Sequence, residues 1–296
     1  MTSAATDSPV PEVAAQVHRQ RVAVRRVLDG VDDRLLVLAG PRCVRDTTAA
    51  LDYAGQLAEA VTPYRHQLLV VLCAYPEAQG GEGGRRFLLD ALRTGLPQAV
   101  RFTHPATVLH TADLVAYGLT TTRSTTDPLQ WRWASRAPVP VGCENEATGD
   151  IGTAVAAVLD ANAHRLRFSR APAAHPAAHL VLRGGLHRPA HDPSSTAAAL
   201  TRLRAAGLPP RLVVAVPGGG DLRRQRDAVA SVARQRADGQ KGLVGVAFGS
   251  FLHEGRQHAP LAYGVSTAEP CLSLPDTVSL LDTLAIAVER CRLRGR

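Results

Sequence analysis

Short runs of uninterrupted apolar residues alternate along this chain with longer segments whose apolar positions recur every three or four residues. The runs are 35–39, 67–74, 98–103, 119–123, 139–145, 179–183, 212–216 and 243–248. Most are too continuously apolar to face water on one side, as expected of strands covered on both faces in a parallel sheet. The segments between them have helical spacing: a lead-in helix over 14–28, then 47–61, 85–94, 107–117, 128–135, 151–161, 195–206, 222–237 and 276–292. Asp46 (or Thr47) and Asp150 are placed to cap two of them. The alternation predicts one α/β domain, a closed (β/α)8 TIM barrel over 14–296, preceded by a disordered stretch over 1–13. Elsewhere the rhythm breaks: 75–84 reads as a flexible glycine-rich loop, 164–178 as an inserted hairpin, and 249–274 as a long excursion before the last helix.

In such a barrel the C-terminal ends of all strands open on one face, where active sites of this fold sit. By order, that rim carries Arg42, Cys73, Arg101, Arg123, Glu144, Arg183, Gly218 and Gly249. Four arginines converging on a concave, poorly solvated mouth would hold an anion, a phosphate or carboxylate gripped in bidentate fashion. Each alone also reads as a salt-bridge partner, although a guanidinium at a buried strand end needs some partner. Glu144 and Glu146 read either as a general base with its helper or as counter-charges to those arginines. Cys43, Cys73 and Cys143 lie near the rim without a histidine placed to activate a thiol, so small apolar packing is their default role. The eleven histidines are scattered and show no zinc-type spacing.

Composition narrows the function. The net charge of +8 is an arginine charge, since Lys241 is the only lysine against 33 arginines. No basic run is interleaved with aromatics, which make up 4% of the chain, so no nucleic-acid partner is expected. Lys241 lies in a turn before a strand, at the wrong end of the barrel for Schiff-base chemistry. Five cysteines without a CxxC pair suit a reducing compartment. With no signal-peptide pattern and no membrane-length apolar window, a cytoplasmic protein without a membrane partner is expected.

Several motifs together resemble the type I 3-deoxy-D-arabino-heptulosonate 7-phosphate (DAHP) synthases: Asp32-Asp33-Arg34-Leu35-Leu36-Val37, Gly40-Pro41, Asp46, Ala112-Asp113-Leu114 with Gly118, and Arg123-Ser124-Thr125. The resemblance continues through Pro140-Val141-Gly142 with Asn145, Leu182-Arg183-Gly184-Gly185, residues 205–212, Glu254-Gly255-Arg256-Gln257 and Tyr263-Gly264, and so runs from about 18 to 292. It implies a (β/α)8 barrel and a condensation of phosphoenolpyruvate with erythrose 4-phosphate assisted by a divalent metal. It also implies that the metal-ligand positions fall at Arg42 (with Cys43 one residue late), Gly218, Gly249 and Glu269, of which only Glu269 keeps a carboxylate. Of the phosphoenolpyruvate residues, the phosphate arginines match Arg123 and Arg183. The positions gripping the carboxylate fall at Cys73 and Ala78, another lysine falls at Glu144, and the sugar-phosphate loop is shortened around Gly80.

These departures lead to a specific expectation. The chain is expected to be a metal-independent enzyme of specialised metabolism, repurposed from this family and without DAHP synthase activity, with a non-catalytic regulatory or partner subunit as the alternative and a true DAHP synthase as the least favoured reading. Glu144, Glu146, Glu269 and Arg42 are the catalytic candidates. Arg123, Arg183, Arg101, Cys73 and Asn145 are the binding candidates for an anionic or larger small-molecule substrate. No metal or cofactor is expected, and the resemblance implies a homo-oligomer, dimeric or tetrameric.

Overall fold

In the computed structural model eight parallel strands close on themselves in chain order. Residues 10–74, 82–146, 148–168, 178–185, 189–216, 221–258 and 261–295 are described. The strands are β1 (Leu35–Gly40), β2 (Leu68–Cys73), β3 (Gln98–Arg101), β4 (Tyr117–Thr120), β5 (Val141–Glu144), β6 (Ala178–Arg183), β7 (Leu212–Ala215) and β8 (Leu243–Gly249). Closure is made by β1, which pairs with β2 through Leu35↔Leu68 to Ala39↔Leu72 and with β8 through Leu36↔Gly245 to Gly40↔Gly249. Every residue of β1, β2 and β8 is buried, which accounts for their unbroken apolar sequence.

Helices wrap the barrel: α1 (Pro11–Leu28), α2 (Thr47–Ala60), α3 (Glu82–Leu92), α4 (Pro105–Thr111), α5 (Thr122–Thr126), α6 (Pro128–Ala134), α7 (Gly152–Phe168), α8 (Pro193–Ala205), α9 (Leu222–Ala237) and α10 (Leu274–Arg294). Their starts follow capping chemistry. The side chains of Asp46, Asp127, Asp192, Asp221 and Ser273 each accept a hydrogen bond from a backbone N–H in the first turn of the helix that follows. On α6, Trp131 is buried and donates its indole N–H to Asp160 of α7 at 2.9 Å, whereas Trp133 is partly exposed.

Close approach decides two glycines. A Cβ on Gly40 would overlap the backbone carbonyl of Cys73, and one on Gly142 would overlap the buried hydroxyl of Tyr117. That hydroxyl is paired with Nε2 of His179 at 2.8 Å inside the barrel. Burial holds the Tyr117 phenol well above its ordinary pKa, so the hydroxyl keeps its proton at physiological pH.

Several sequence expectations are corrected. Pro11–Val13 belong to α1 instead of a disordered leader; residues 1–9 lie outside the described residues. Gly83 and Gly84, expected in a flexible loop, lie within α3, while 75–81 fall outside the described residues. The expected strand at 165–168 is helical, because α7 continues to Phe168: a four-residue alternation is too short to outweigh a run of alanines, leucine and arginines without a breaker. The remainder of that hairpin, 169–177, lies outside the described residues. The expected helix over 107–117 ends at Thr111, and β4 begins two residues earlier than expected, at Tyr117.

Candidate functional site

The rim is built where strands end and turn. β1 ends at Gly40, and Arg42 follows in a left-handed backbone conformation (φ 57°), unusual for a residue with a side chain. Its backbone N–H donates to the Cys73 carbonyl at 3.1 Å, locking the end of β1 to the end of β2. This turn delivers the Arg42 guanidinium into the opening. There its Nε lies 2.9 Å from Glu269 Oε1, and its Nη2 donates to the Val216 carbonyl at 2.8 Å. One arginine thus ties together the end of β1, the segment after β7 and the excursion after β8. Cys73 is buried at the end of β2.

A second ion pair reaches across β4, from β3 to β5. Arg101, the last residue of β3, approaches Glu144, the last residue of β5, at 3.5 Å between Nη2 and Oε1. Glu144 is 3% exposed, and its other oxygen, Oε2, has no hydrogen-bond partner among the described residues. A buried carboxylate oxygen left this way is costly unless water or a ligand serves it. Asn145 is also buried. Its Oδ1 accepts the Arg183 backbone N–H at 2.5 Å and its Nδ2 donates to the Glu146 carbonyl at 3.0 Å, so it fixes where β6 ends.

The structure separates two candidates from this group. Glu146 turns to α7 and accepts from the Thr153 hydroxyl at 2.7 Å, acting as a tie for that helix and not as part of a carboxylate pair. Arg123 is not at the end of β4 but one turn on, in α5, where it is exposed. Arg183 ends β6 and is half-buried. Thr120 and Thr125, which the sequence reading missed, brace this corner through an Oγ1–Oγ1 contact of 2.9 Å, and Thr120 also donates to the Gly142 carbonyl at 3.1 Å. The Thr120-to-Thr125 spacing across a turn was the available signal. Cys271, beside Glu269, is a buried thiol with its pKa pushed up to about 12, chiefly by burial, which rules it out as a thiolate nucleophile at neutral pH.

A divalent metal does not fit these residues. Among the described residues no group of three or more His, Cys, Asp or Glu is placed to hold an ion. The carboxylate of Glu269 is taken by Arg42, and a side chain built on Gly249 would press on Pro270 and Cys271. Gly218 and Ala78, which the resemblance places among metal and substrate positions, lie outside the described residues, as does Gly80.

Residues 12–281 match the DAHP synthetase I family. The chain belongs to that family. It is 33% identical to the "Phospho-2-dehydro-3-deoxyheptonate aldolase, Trp-sensitive" of Enterobacter agglomerans, over 97% of this chain and 93% of that one. The protein of the same name from Escherichia coli is 31% identical over 94% of this chain and 91% of its own length. A solved phospho-2-dehydro-3-deoxyheptonate aldolase from Francisella tularensis superposes with a TM-score of 0.83, covering 96% of this chain at 23% identity, and so shares the fold.

These relationships overturn the expectation of a repurposed or non-catalytic homologue without the family's activity. Relatives similar over nearly the full length of both chains carry the enzyme's name. Similarity that extends through the whole barrel outweighs individual ligand positions carried over by resemblance. For membrane association, no helix among the described residues is long and apolar enough to cross a bilayer.

Proposed function

We propose that this member of the family is itself a DAHP synthase, joining phosphoenolpyruvate to erythrose 4-phosphate. The observation that carries this reading is the similarity, over 97% of the chain, to a relative named for that enzyme. In the reaction the methylene carbon of phosphoenolpyruvate attacks the aldehyde carbon of the sugar, and the aldehyde oxygen gains a proton to become a hydroxyl. Water adds to the enol carbon, the carbon–oxygen bond to phosphate breaks, and inorganic phosphate leaves behind a keto group.

The residues at the mouth have matching chemistry. Arg183 and Arg123 would anchor phosphate, the half-buried Arg183 more firmly because its strand end is pinned by Asn145. The Arg42 guanidinium, held by Glu269 and Val216, is a fixed positive charge that would stabilise the oxyanion growing on the aldehyde. Glu144 would take a proton from the attacking water through Oε2, while Arg101 at 3.5 Å balances its charge. That balance also makes a carboxylate tolerable in a site that must receive anions.

The test is a coupled assay of phosphate release together with mass detection of the seven-carbon product, using purified full-length protein and both substrates. Turnover requiring both substrates supports the reading. A folded preparation that yields no product above the enzyme-free control overturns it.

The name of these relatives adds sensitivity to tryptophan. A cavity of about 770 Å³ between α1, α4 and α6 has the chemistry for such an effector: Leu109, Leu129 and Trp133 for a ring, Arg132 and Arg136 for a carboxylate. Inhibition by tryptophan that is lost in Trp133→Ala would support this assignment, and inhibition unchanged in that variant would refute it.

A further inference from the structure

The end of the barrel opposite the rim carries a second cavity, of about 570 Å³, that the proposed reaction does not use. Its wall includes Arg34, Arg236, Lys241 and Arg292, opposed by Asp32 and Asp33, so four cations face two carboxylates. Val27, Val244, Val288 and Cys291 supply an apolar flank.

The three arginines are fixed in place before any ligand arrives. Arg34 grips Asp32, with Nη2 2.6 Å from Oδ2, and Arg292 grips Asp33, with Nη2 2.6 Å from Oδ1. Arg236 donates through Nη2 to the Asp33 carbonyl at 2.8 Å and through Nη1 to the carbonyls of Lys241 and Leu243. Two features remain unexplained by these pairings. Arg236 is 5% exposed, yet its Nε has no hydrogen-bond partner among the described residues. Lys241 has no carboxylate partner there either; its ammonium lies beside Gly295, at the end of α10. The C-terminal ends of α9 and α10 attract these cations, but a helix end offers about half a charge and leaves a buried Nε–H unserved. Burial outweighs the charge of Asp33 and holds the Arg236 guanidinium below its usual pKa, the behaviour of a cation that its surroundings undercompensate.

We propose that this cavity is a binding site for a small organic anion, one bearing a phosphate or carboxylate on an apolar body. The anionic group lies between Lys241 and the Arg236 guanidinium, and the apolar part lies against Val244 and Cys291. The site is separate from the phosphate arginines of the rim and does not depend on the proposed reaction.

Lys241 makes the site directly observable, because it is the only lysine in the chain. Reductive methylation with ¹³C-formaldehyde gives one lysine resonance in addition to that of the N-terminal amine, assigned by its absence in Lys241→Arg. Phenyl phosphate and benzoate are titrated separately against the full chain, with sodium chloride at matched ionic strength as the control. The expected result is a saturable shift of that resonance with at least one probe, retained in an Arg123→Ala/Arg183→Ala variant and weakened at least tenfold in Arg236→Lys. Arg236→Lys is first checked for folding by its circular dichroism. Saturation by phenyl phosphate alone or by benzoate alone identifies the anionic group. A shift that merely follows ionic strength, or that disappears with the rim arginines, overturns the proposal.

Discussion

At the residue scale the site depends on which carboxylate is left available. Glu144 and Glu146 are two positions apart, but of the two only Glu144 has a buried oxygen without a hydrogen-bond partner among the described residues; Glu146 is turned to Thr153. Glu144→Gln is therefore expected to lower kcat by about 10²-fold or more with a small change in KM, the usual size of a lost proton-transfer group. Glu146→Gln should leave kcat within about twofold, since its contact is a helix tie worth about 1 kcal/mol. Steady-state kinetics on the two variants separates these roles, and equal losses would show that the pair acts together. Arg183→Ala is expected to raise the KM for phosphoenolpyruvate by about tenfold or more through loss of a charged hydrogen bond. The sequence marked the rim residues because strand order alone places them. It could not tell one glutamate from the other, because that depends on which way a side chain turns after the strand ends.

At the scale of elements, helix starts marked by a capping carboxylate were the readable part, and several helix ends were not. Helix 222–237 coincides with its expected span, and Asp46 caps α2 as expected. The misses occur where two signals compete: the run 119–123 predicts a strand reaching Arg123, yet Thr125 bonds back to the Thr121 carbonyl and 122–126 forms a short helix instead. Asp192 offers a quantitative test. It caps α8 through the Ser195 N–H at 2.9 Å and also accepts from the hydroxyls of Ser194 and Ser195 at 2.5 and 2.6 Å. Partial burial alone would raise its pKa, but these hydrogen bonds outweigh that effect and hold it well below the ordinary carboxylate value. A depressed folded-state pKa contributes stability that is fully present above the unfolded value, about pH 4, and is lost as pH falls through the lower folded value. Asp192→Ala should cost about 1 kcal/mol at neutral pH. It should also flatten the acid limb of a stability–pH profile measured by urea unfolding. An acid limb as steep as that of the parent would exclude this role for the cap.

At the scale of the whole molecule, the barrel was legible because strands buried on both faces, as β1, β2 and β8 are, alternate eight times with helical segments along the chain. Activity was read less well from the sequence, because the absence of particular ligands is a local fact and the relationship to active enzymes is a global one. Closure itself can be tested at Gly40, where a methyl group would displace the Cys73 carbonyl from the Arg42 N–H. Gly40→Ala is expected to destabilise the fold by about 1–3 kcal/mol, the usual cost of overpacking, read as a lower denaturant midpoint. Trp131 and Trp133 give the molecule two optical reporters of different kinds. Two residues apart on α6, one indole is enclosed and bonded to Asp160 while the other meets solvent. Fluorescence should therefore divide into a blue-shifted component that iodide barely touches and a red-shifted one that it quenches. The first would follow unfolding of the barrel wall, and the second would register anything that settles on the flank beside it.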